Sequence, residues 1–439
     1  MSVYKIRIMR FLVAIKNIIF IIYLFFIVYM PPLLKGGMID RVMLVISVLY
    51  TVINIKHALY VINVKENKRM LLLSLILLIY SFLISILNHA IGNNHVNYYE
   101  RPISIIIFIV YFFFIATSIT IYCKKNSIVS ETFLKMLVII GLIQAFFVFS
   151  SLFFPEVRVY LLNMIEENAS DVKIAESLSA NHFTALRRNF GFADTLYDRF
   201  GYTCSILCGI SFNLGLYKEK WGYYIASLIF VFSTLLNARS GVVLCVVAIL
   251  LSSIIFFINN RNSKNIIKLL SFIIVAVIAF AVALSVLEQY SPDTYEWMSI
   301  GLSSFIGDTS QVARSADGTE FYLSNETWFF PDFFGLILGT ALDPYYTLGY
   351  STDNGYVEQI WNIGIIGLLI SLFLFVGSIK HTLKICSSNI ERGVLYIMIA
   401  LILLYMIKLF AFKNIGGTYI ILGYCFLLNS LYTVDSKKA

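Results

Sequence analysis

Long apolar stretches recur along the whole chain and limit its fold more than any other feature. A helix that crosses a bilayer needs about 20 mostly apolar residues. The sequence therefore predicts an all-α polytopic membrane protein with about 12 transmembrane helices, two of them short, at 222–237 and 241–258. The twelve stretches lie approximately at 9–30, 42–63, 70–90, 103–122, 134–154, 200–217, 222–237, 241–258, 266–287, 358–378, 393–411 and 416–433.

The composition agrees with a membrane protein. Hydrophobic residues make up 59% of the chain and charged residues 13%, and the mean hydropathy is +0.83. A soluble globular protein has about 45–50% apolar and about 25% charged residues. The first apolar run is too long for a signal-peptide core and lacks a cleavage site of small residues, so it is expected to remain as a span. The six cysteines show neither a disulfide framework nor metal-type spacing.

Lysine and arginine in the short connections predict the orientation in the membrane. Because cytoplasmic loops are enriched in these residues, the more basic set marks the cytoplasmic side and places both termini there. The net charge of +8 is then a topology signal, and no nucleic-acid partner is expected. The more basic set comprises Lys5, Arg7, Arg10, Lys65, Lys68, Arg69, Lys124, Lys125, Lys218, Lys220, Arg261, Lys264, Lys268, Lys380, Lys384, Arg392, Lys437 and Lys438. The opposite set comprises Lys35, Arg41, Arg101, Arg239 and Lys413.

Two long connections on the predicted outer side divide the chain. Loops longer than about 12–15 residues are usually functional or disordered. The first loop opens with PEVRVYLLNMIEE, which predicts a short amphipathic helix on the outer membrane face. Its apolar stripe is Val157, Tyr160, Leu161, Met164 and Ile165. The predicted organisation is five N-terminal helices in 1–154, a loop at 155–199, four central helices in 200–287, a loop at 288–357 and three C-terminal helices in 358–439.

Arginines concentrate on this outer side: Arg187, Arg188, Arg199, Arg239 and Arg314. Guanidinium keeps its charge and binds phosphate through a planar fork of donors. Such a cluster suits a lipid-linked phosphate or pyrophosphate. The alternative for each arginine is contact with lipid headgroups, or pairing with a nearby aspartate.

Arg239 stands out within this cluster. It lies at the tip of a tight hairpin in LNARSGV, beside Ser240 and Gly241, the latter expected to be flexible. A charge at the membrane edge is a functional candidate by default.

The segment YSTDNGYVEQIWNIGIIG joins the second loop to an apolar run. Asp353 and Asn354 are good helix-capping residues as well as candidates for chemistry. Glu358 lies inside the apolar run, where an unpaired carboxylate would be costly, so we expect a cationic partner and favour an outer-face arginine. His182 in the first loop is a second candidate base, with a solvated loop histidine as the simpler interpretation.

Several familiar catalytic motifs are absent from the sequence. It contains no phosphate-binding P-loop, dinucleotide-binding glycine fingerprint, zinc-protease HExxH, serine nucleophile elbow or Asp-x-Asp pair. We therefore expect neither a cofactor nor a metal site.

Three motifs together resemble the bacterial O-antigen polymerase and ligase superfamily, and within it the Wzy-type polysaccharide polymerases. They are the hairpin ARSGVVLCVVAILL, the stretch FFGLILGTALDP and the junction STDNGYVEQIWNIGIIGLL. The junction is similar to the family pattern H/D-N-x-(Y/F)-L…E-x-G-x-x-G. The resemblance covers mainly residues 180–370.

The resemblance implies a GT-C-like glycosyltransferase in the bacterial inner (plasma) membrane. Its substrates would be undecaprenyl-pyrophosphate-linked glycans at the extracytoplasmic face, with membrane lipids and a chain-length regulator protein as further partners. By the same resemblance Arg187, Arg188, Arg239 and Arg314 would hold the pyrophosphate, while Asp353, Asn354 and Glu358 would form the catalytic group. The ligase branch usually carries histidine where this chain has Asp353, which favours a polymerase.

Two other functions fit the same layout. A flippase for lipid-linked oligosaccharides also has about twelve spans, but we would expect its charges deep in an internal cavity rather than in long outer loops. An O-antigen ligase or a lipid-modifying acyltransferase remains the third possibility.

Overall fold

The described parts of the chain are helical almost throughout. The computed structural model describes residues 3–35, 38–91, 96–168, 188–189, 191–193, 197–260, 263–296, 298–299, 328–348, 354–408 and 415–435. Within these ranges there is no strand, which confirms the all-α prediction. The α-helices are α1 (Val3–Tyr29), α2 (Met38–Ile53), α3 (Ile55–Ile62), α4 (Lys65–Ile91), α5 (Glu100–Lys125), α6 (Ser130–Phe153), α7 (Pro155–Asn168), α8 (Tyr197–Lys218), α9 (Trp221–Leu235), α10 (Arg239–Asn259), α11 (Ser263–Tyr290), α12 (Phe333–Leu338), α13 (Pro344–Leu348), α14 (Gly355–Leu372), α15 (Ser378–Ile385), α16 (Asn389–Tyr405) and α17 (Ile415–Asp435). A 3-10 helix, Val96–Tyr99, precedes α5, and a π-helix, Phe373–Gly377, joins α14 to α15.

Among the described residues, each predicted apolar stretch falls mainly on one helix or on consecutive helices. Within the described ranges, six helices are long and apolar enough to cross a membrane, and a bent pair would make seven. These long apolar helices indicate a membrane-embedded protein. The count of twelve spans stays a prediction. The six are Lys65–Ile91, Asn97–Lys125, Ser130–Phe153, Ser240–Asn259, Ser271–Tyr290 and Gly355–Ile385.

The second predicted span, 42–63, is not one straight helix. It is divided into α2 and α3, which meet at an angle of 97°. Asn54 stands at the break with non-helical backbone angles, and its side chain donates to the carbonyl of Tyr50 at 2.7 Å. An asparagine that bonds to nearby backbone groups competes with helix continuation, which explains the bend.

The chain forms two compact units. The first comprises Met1–Ile46, Glu131–Cys245 and Asn262–Glu296. Helix α8 is buried along residues 200–216 of this unit. It packs against α9, and Ser211 donates to the carbonyl of Tyr223 at 2.7 Å. Small residues along α8 allow its neighbours to come close, as is common between helices in membranes.

The second unit comprises Ser47–Ser130, Val246–Arg261 and Trp297–Ala439. Helix α17 is buried along residues 416–430 and packs against α5. Its polar residue Asn429 donates to the amide oxygen of Asn67 at 3.0 Å and accepts from Thr382 at 2.9 Å. These hydrogen bonds between helices satisfy buried polar groups. Without a partner, each buried polar group would destabilise the fold.

Candidate functional site

The hairpin tip that carries Arg239 lies in the first unit. Helix α9 ends at Leu235 and α10 begins at Arg239, so the connection is tight. Ala238 donates its N–H to the carbonyl of Thr234 at 2.6 Å, and Asn237 is fully buried. Arg239 is therefore the first residue of α10, at the tip of the hairpin. The side chain of Arg239 lies outside the described residues.

Gly241 serves close packing rather than flexibility. A Cβ placed on Gly241 would lie 2.5 Å from Cα of Gly201 and 2.3 Å from Cγ2 of Thr234. The two glycines thus let α8 and α10 meet at their first turns. The Ser240 hydroxyl donates to Asp198 across the same crossing. The expectation of a flexible Gly241 was wrong, because the residue is helical and tightly packed.

The same crossing brings two helix N-termini together. Helix α8 begins at Tyr197 and α10 at Arg239, and the helix dipole gives each N-terminus a partial positive charge. Arg199 lies in the first turn of α8 and is half-buried. Positive helix ends and the arginine in the first turn of α8 favour an anion such as phosphate here, beside the Asp198 carboxylate that Ser240 binds.

Arg188 is held beside this hairpin by its neighbour in sequence. The N–H of Asn189 donates to the carbonyl of Leu236 at 3.0 Å, and the Asn189 side chain is fully buried. Its amide group donates to Thr294 at 3.4 Å. The segment that carries Arg188 is therefore hydrogen-bonded to the hairpin that carries Arg239. Both arginines are among those predicted to bind pyrophosphate.

Arg158 joins the cluster, although the sequence did not single it out. Its guanidinium donates to the carbonyl of Arg188 at 3.1 Å. Burial lowers the pKa of Arg158, and the nearby carboxylate of Asp293 opposes that shift by favouring the charged form. This half-buried guanidinium binds the Arg188 main chain and so helps to fix the position of the predicted phosphate-binding segment.

The amphipathic pattern of α7 could have predicted from the sequence that Arg158 lies on the buried face of this helix. The predicted helix is confirmed, but its buried stripe is shifted by one position. Leu161, Leu162 and Ile165 are buried, while Tyr160 is 64% exposed. Arg158 precedes these three by three, four and seven residues, so it lies on the same face of the helix. The location of this helix on the outer membrane face stays a prediction.

The second unit contains the predicted catalytic junction. Asn354 is fully buried and caps α14, since its side-chain oxygen accepts from the N–H groups of Tyr356 at 3.0 Å and Val357 at 3.3 Å. This is the capping interpretation given by its sequence position. Asp353 lies outside the described residues.

Glu358 has the arginine partner that its sequence position predicts. It is 5% exposed, and its carboxylate lies 3.6 Å from the guanidinium of Arg101, which is 6% exposed. Arg101 also donates to the side-chain oxygen of Gln359 at 2.5 Å, and Gln359 donates to Ser371 at 3.0 Å. The partner belongs to the set of basic residues predicted to lie on the outer side, but it is not one of those predicted to bind pyrophosphate. Glu358 is therefore a buried ion-pair residue in the described structure.

Two motifs that are separate in the sequence meet at a break in α14. Gly364 adopts a positive φ of 65° inside the helix, and Gly339 has a φ of 96° after α12. The N–H of Thr340 donates to the carbonyl of Trp361 at 2.7 Å, and that of Ala341 donates to Asn362 at 3.1 Å. The stretch FFGLILGTALDP thus supplies the hydrogen bonds that the broken helix lacks.

The remaining predicted site residues fall outside the described residues. Arg187, Arg314 and His182 are among them. Arg188 and Arg239 belong to the first unit, and Asn354 and Glu358 to the second. In the described part of the chain, no group of three or more His, Cys, Asp or Glu side chains could hold a metal ion.

No protein family model matches this chain, and no curated protein is similar enough to match it.

Proposed function

We propose that this chain is a polysaccharide polymerase of the Wzy type. It would join lipid-linked oligosaccharide repeat units at the extracytoplasmic face of the bacterial plasma membrane. In this proposal the chain has about 12 spans in a GT-C-like arrangement, both termini are cytoplasmic, and the long loops at 155–199 and 288–357 face outwards. The substrates are polyprenyl-pyrophosphate-linked glycans.

The observation that carries the proposal is the attachment of the Arg188 segment to the hairpin that begins α10 at Arg239. Arg158 holds the Arg188 carbonyl, and the N-termini of α8 and α10 lie at the same crossing. Fixed guanidinium groups and helix dipoles stabilise a leaving diphosphate in the way that a metal ion would. Such preorganised charge matches the demand of this reaction without a cofactor.

The proposed step exchanges one bond for another. A hydroxyl of the acceptor sugar attacks the anomeric carbon of the donor chain. The bond between that carbon and the pyrophosphate oxygen breaks, and the electron pair leaves with the polyprenyl pyrophosphate. A base accepts the proton of the hydroxyl, and Asp353 is our candidate for that base.

The contacts of Asn354 and Glu358 support a positioning role for both residues. Asn354 caps α14 directly after Asp353, and Glu358 ties the first turn of α14 to Arg101 in α5. The Glu358 carboxylate is buried against the guanidinium of Arg101, which holds it away from an incoming sugar hydroxyl. Asp353 therefore remains the candidate base within the predicted catalytic group.

The experiment replaces the arginines in a strain that lacks the chromosomal copy of the gene. Arg239→Ala and Arg188→Ala should leave surface polysaccharide at single repeat units while the protein still inserts in the membrane. Arg239→Lys should also fail, since a point charge does not replace a bidentate fork. The measurement is polymer length on a gel, with immunoblots of membrane fractions for protein level.

Arg41→Ala is the matched control, because Arg41 is an exposed arginine on the predicted outer side. It should support full-length polymer. Normal polymer in Arg239→Ala cells would refute the pyrophosphate assignment. If lipid-linked units instead accumulate on the cytoplasmic side, the protein is a flippase. If a strain that lacks the gene transfers not even single repeat units to its lipid anchor, the result would favour a ligase.

A further inference from the structure

A cavity of about 440 Å³ opens in the second unit, and none of the predicted site residues lines it. It lies where α5 ends and α16 begins, beside the last turns of α17. Val129 on its rim is 58% exposed, whereas Glu391 in its wall is 4% exposed. The cavity therefore leads from the surface to a buried carboxylate.

Glu391 has hydroxyl partners but no ion-pair partner among the side chains that the structure describes. One carboxylate oxygen accepts from Ser130, and the other accepts from the Tyr432 hydroxyl at 2.5 Å. Tyr432 in turn accepts from Ser387 at 3.2 Å. The Cys386 thiol is a third hydrogen-bond partner of this carboxylate, which has about four acceptor positions, so one position is left for an ammonium group. A cation there would offset the cost of burying this charge.

Lys124 lines the same cavity and supplies a positive charge. Its ammonium group lies 4.0 Å from the centre of the Tyr60 ring and donates to the carbonyl of Ser430 at 3.3 Å. These contacts fix the side chain and leave donor capacity on an ammonium that has three protons. A buried carboxylate and a lysine in one cavity suit a molecule that carries both charges.

We propose that this cavity binds the headgroup of a zwitterionic aminophospholipid, with its ammonium on Glu391 and its phosphate on Lys124. The apolar walls formed by Ile128, Val129 and Leu431 would receive the start of the acyl region. An anionic lipid without an amine would meet the Glu391 carboxylate and bind poorly. A choline headgroup would also bind poorly, because a quaternary ammonium cannot donate hydrogen bonds.

The place of the cavity along the helices agrees with a lipid headgroup. Lys124 and Lys125 form the last turn of α5, at the end of a helix long enough to cross the membrane. Lys124, Lys125 and Arg392 belong to the basic set that predicts the cytoplasmic side. Basic pockets between helices at that boundary bind the phosphates of lipid headgroups, and the buried carboxylate adds a site for an amine. The inference does not depend on the proposed polymerase activity.

The test measures lipid binding by the full chain, purified in detergent and freed of lipid. The probes are a short-chain phosphatidylethanolamine, the matching phosphatidylcholine and phosphatidylglycerol, and free phosphoethanolamine. Native mass spectrometry gives the affinity for each. Phosphatidylethanolamine should bind about tenfold more tightly than phosphatidylcholine, as a hydrogen bond to a buried charge predicts. Phosphoethanolamine should bind more weakly, because it has no acyl chain to bury.

Variants separate the two charges. Glu391→Gln should remove the preference for ethanolamine over choline, and Lys124→Met should weaken both lipids, since both carry phosphate. Lys125→Met is the matched control, because Lys125 contacts Asn54 and does not line the cavity. Val129→Trp should fill the cavity from its exposed rim while the residues that hydrogen-bond to Glu391 stay unchanged. It provides the test of the cavity if the other variants fail to fold. It should abolish the ethanolamine preference.

Three results would overturn the proposal. One is equal binding of the ethanolamine and choline lipids by the natural chain. Another is an unchanged ethanolamine preference in Val129→Trp or in folded Glu391→Gln. The third is phosphoethanolamine binding as tightly as the lipid, which would identify a soluble ligand instead.

Discussion

Glu358 depends on Arg101 for its place inside a buried helix. The pair is 3.6 Å apart and both side chains are 6% exposed. Sequence reasoning predicted the partner's residue type from the cost of a buried carboxylate. It could not predict which arginine, because Arg101 is 258 positions from its hydrogen-bond acceptor Gln359 and no local pattern links them. The same holds for Arg158, whose contact with the Arg188 carbonyl depends on tertiary structure.

We predict that Arg101→Met destabilises the protein by about 3–5 kcal/mol, because it leaves the Glu358 charge buried without its partner. The double variant Arg101→Met with Glu358→Met should recover much of this loss. Unfolding of the purified protein in detergent measures the difference. Arg41→Met, a change at an exposed arginine, should have little effect. Equal stability of the Arg101→Met and Arg41→Met proteins would show that the buried pair does not contribute.

The broken helix α14 depends on two glycines. A Cβ on Gly364 would lie 2.3 Å from the carbonyl oxygen of Ile337, and one on Gly339 would lie 2.6 Å from the backbone of Ile363. Both residues also have positive φ angles, which favour glycine. Backbone atoms cannot move aside as a flexible side chain could, so neither position accepts alanine.

Gly364→Ala and Gly339→Ala should each lower stability by about 2–4 kcal/mol, from overpacking and left-handed backbone strain together. The expected result is a lower unfolding temperature in detergent. Gly222→Ala is the matched control, because a Cβ there would meet nothing within 4 Å. That variant should be neutral or slightly stabilising, since alanine favours a helix over glycine. An unchanged unfolding temperature in Gly364→Ala would mean that the contact between α12 and α14 is not tight.

At the scale of elements, the lengths of the apolar runs predicted where the long helices lie. They did not predict where a helix bends or breaks. The runs placed the long helices because burial and backbone hydrogen bonding in lipid both demand a helix. The bend at Asn54 depends on a side-chain bond to Tyr50, and the break at Gly364 depends on hydrogen bonds from Thr340 and Ala341. Such features arise from contacts that hydrophobic periodicity does not encode.

The orientation of the whole molecule is a prediction from the basic residues, and the chain's cysteines make it testable. All six native thiols are free and buried, so a membrane-impermeant maleimide should react with them slowly. A cysteine introduced at an exposed position would then report the side of the membrane on which it lies. Two positions suit this purpose: Tyr345, 55% exposed in the second long loop, and Glu219, exposed between α8 and α9.

Tyr345→Cys should be labelled in cells whose plasma membrane is intact and whose outer layers admit the reagent. The reason is that the loop at 288–357 is predicted to face outwards. Glu219→Cys lies between Lys218 and Lys220 and should be labelled only after the plasma membrane is broken. The natural chain is the background control. If Glu219→Cys reacts in intact cells and Tyr345→Cys does not, the molecule has the opposite orientation. The arginine cluster beside the α10 hairpin would then face the cytoplasm, where a polymerase of extracytoplasmic glycans could not use it.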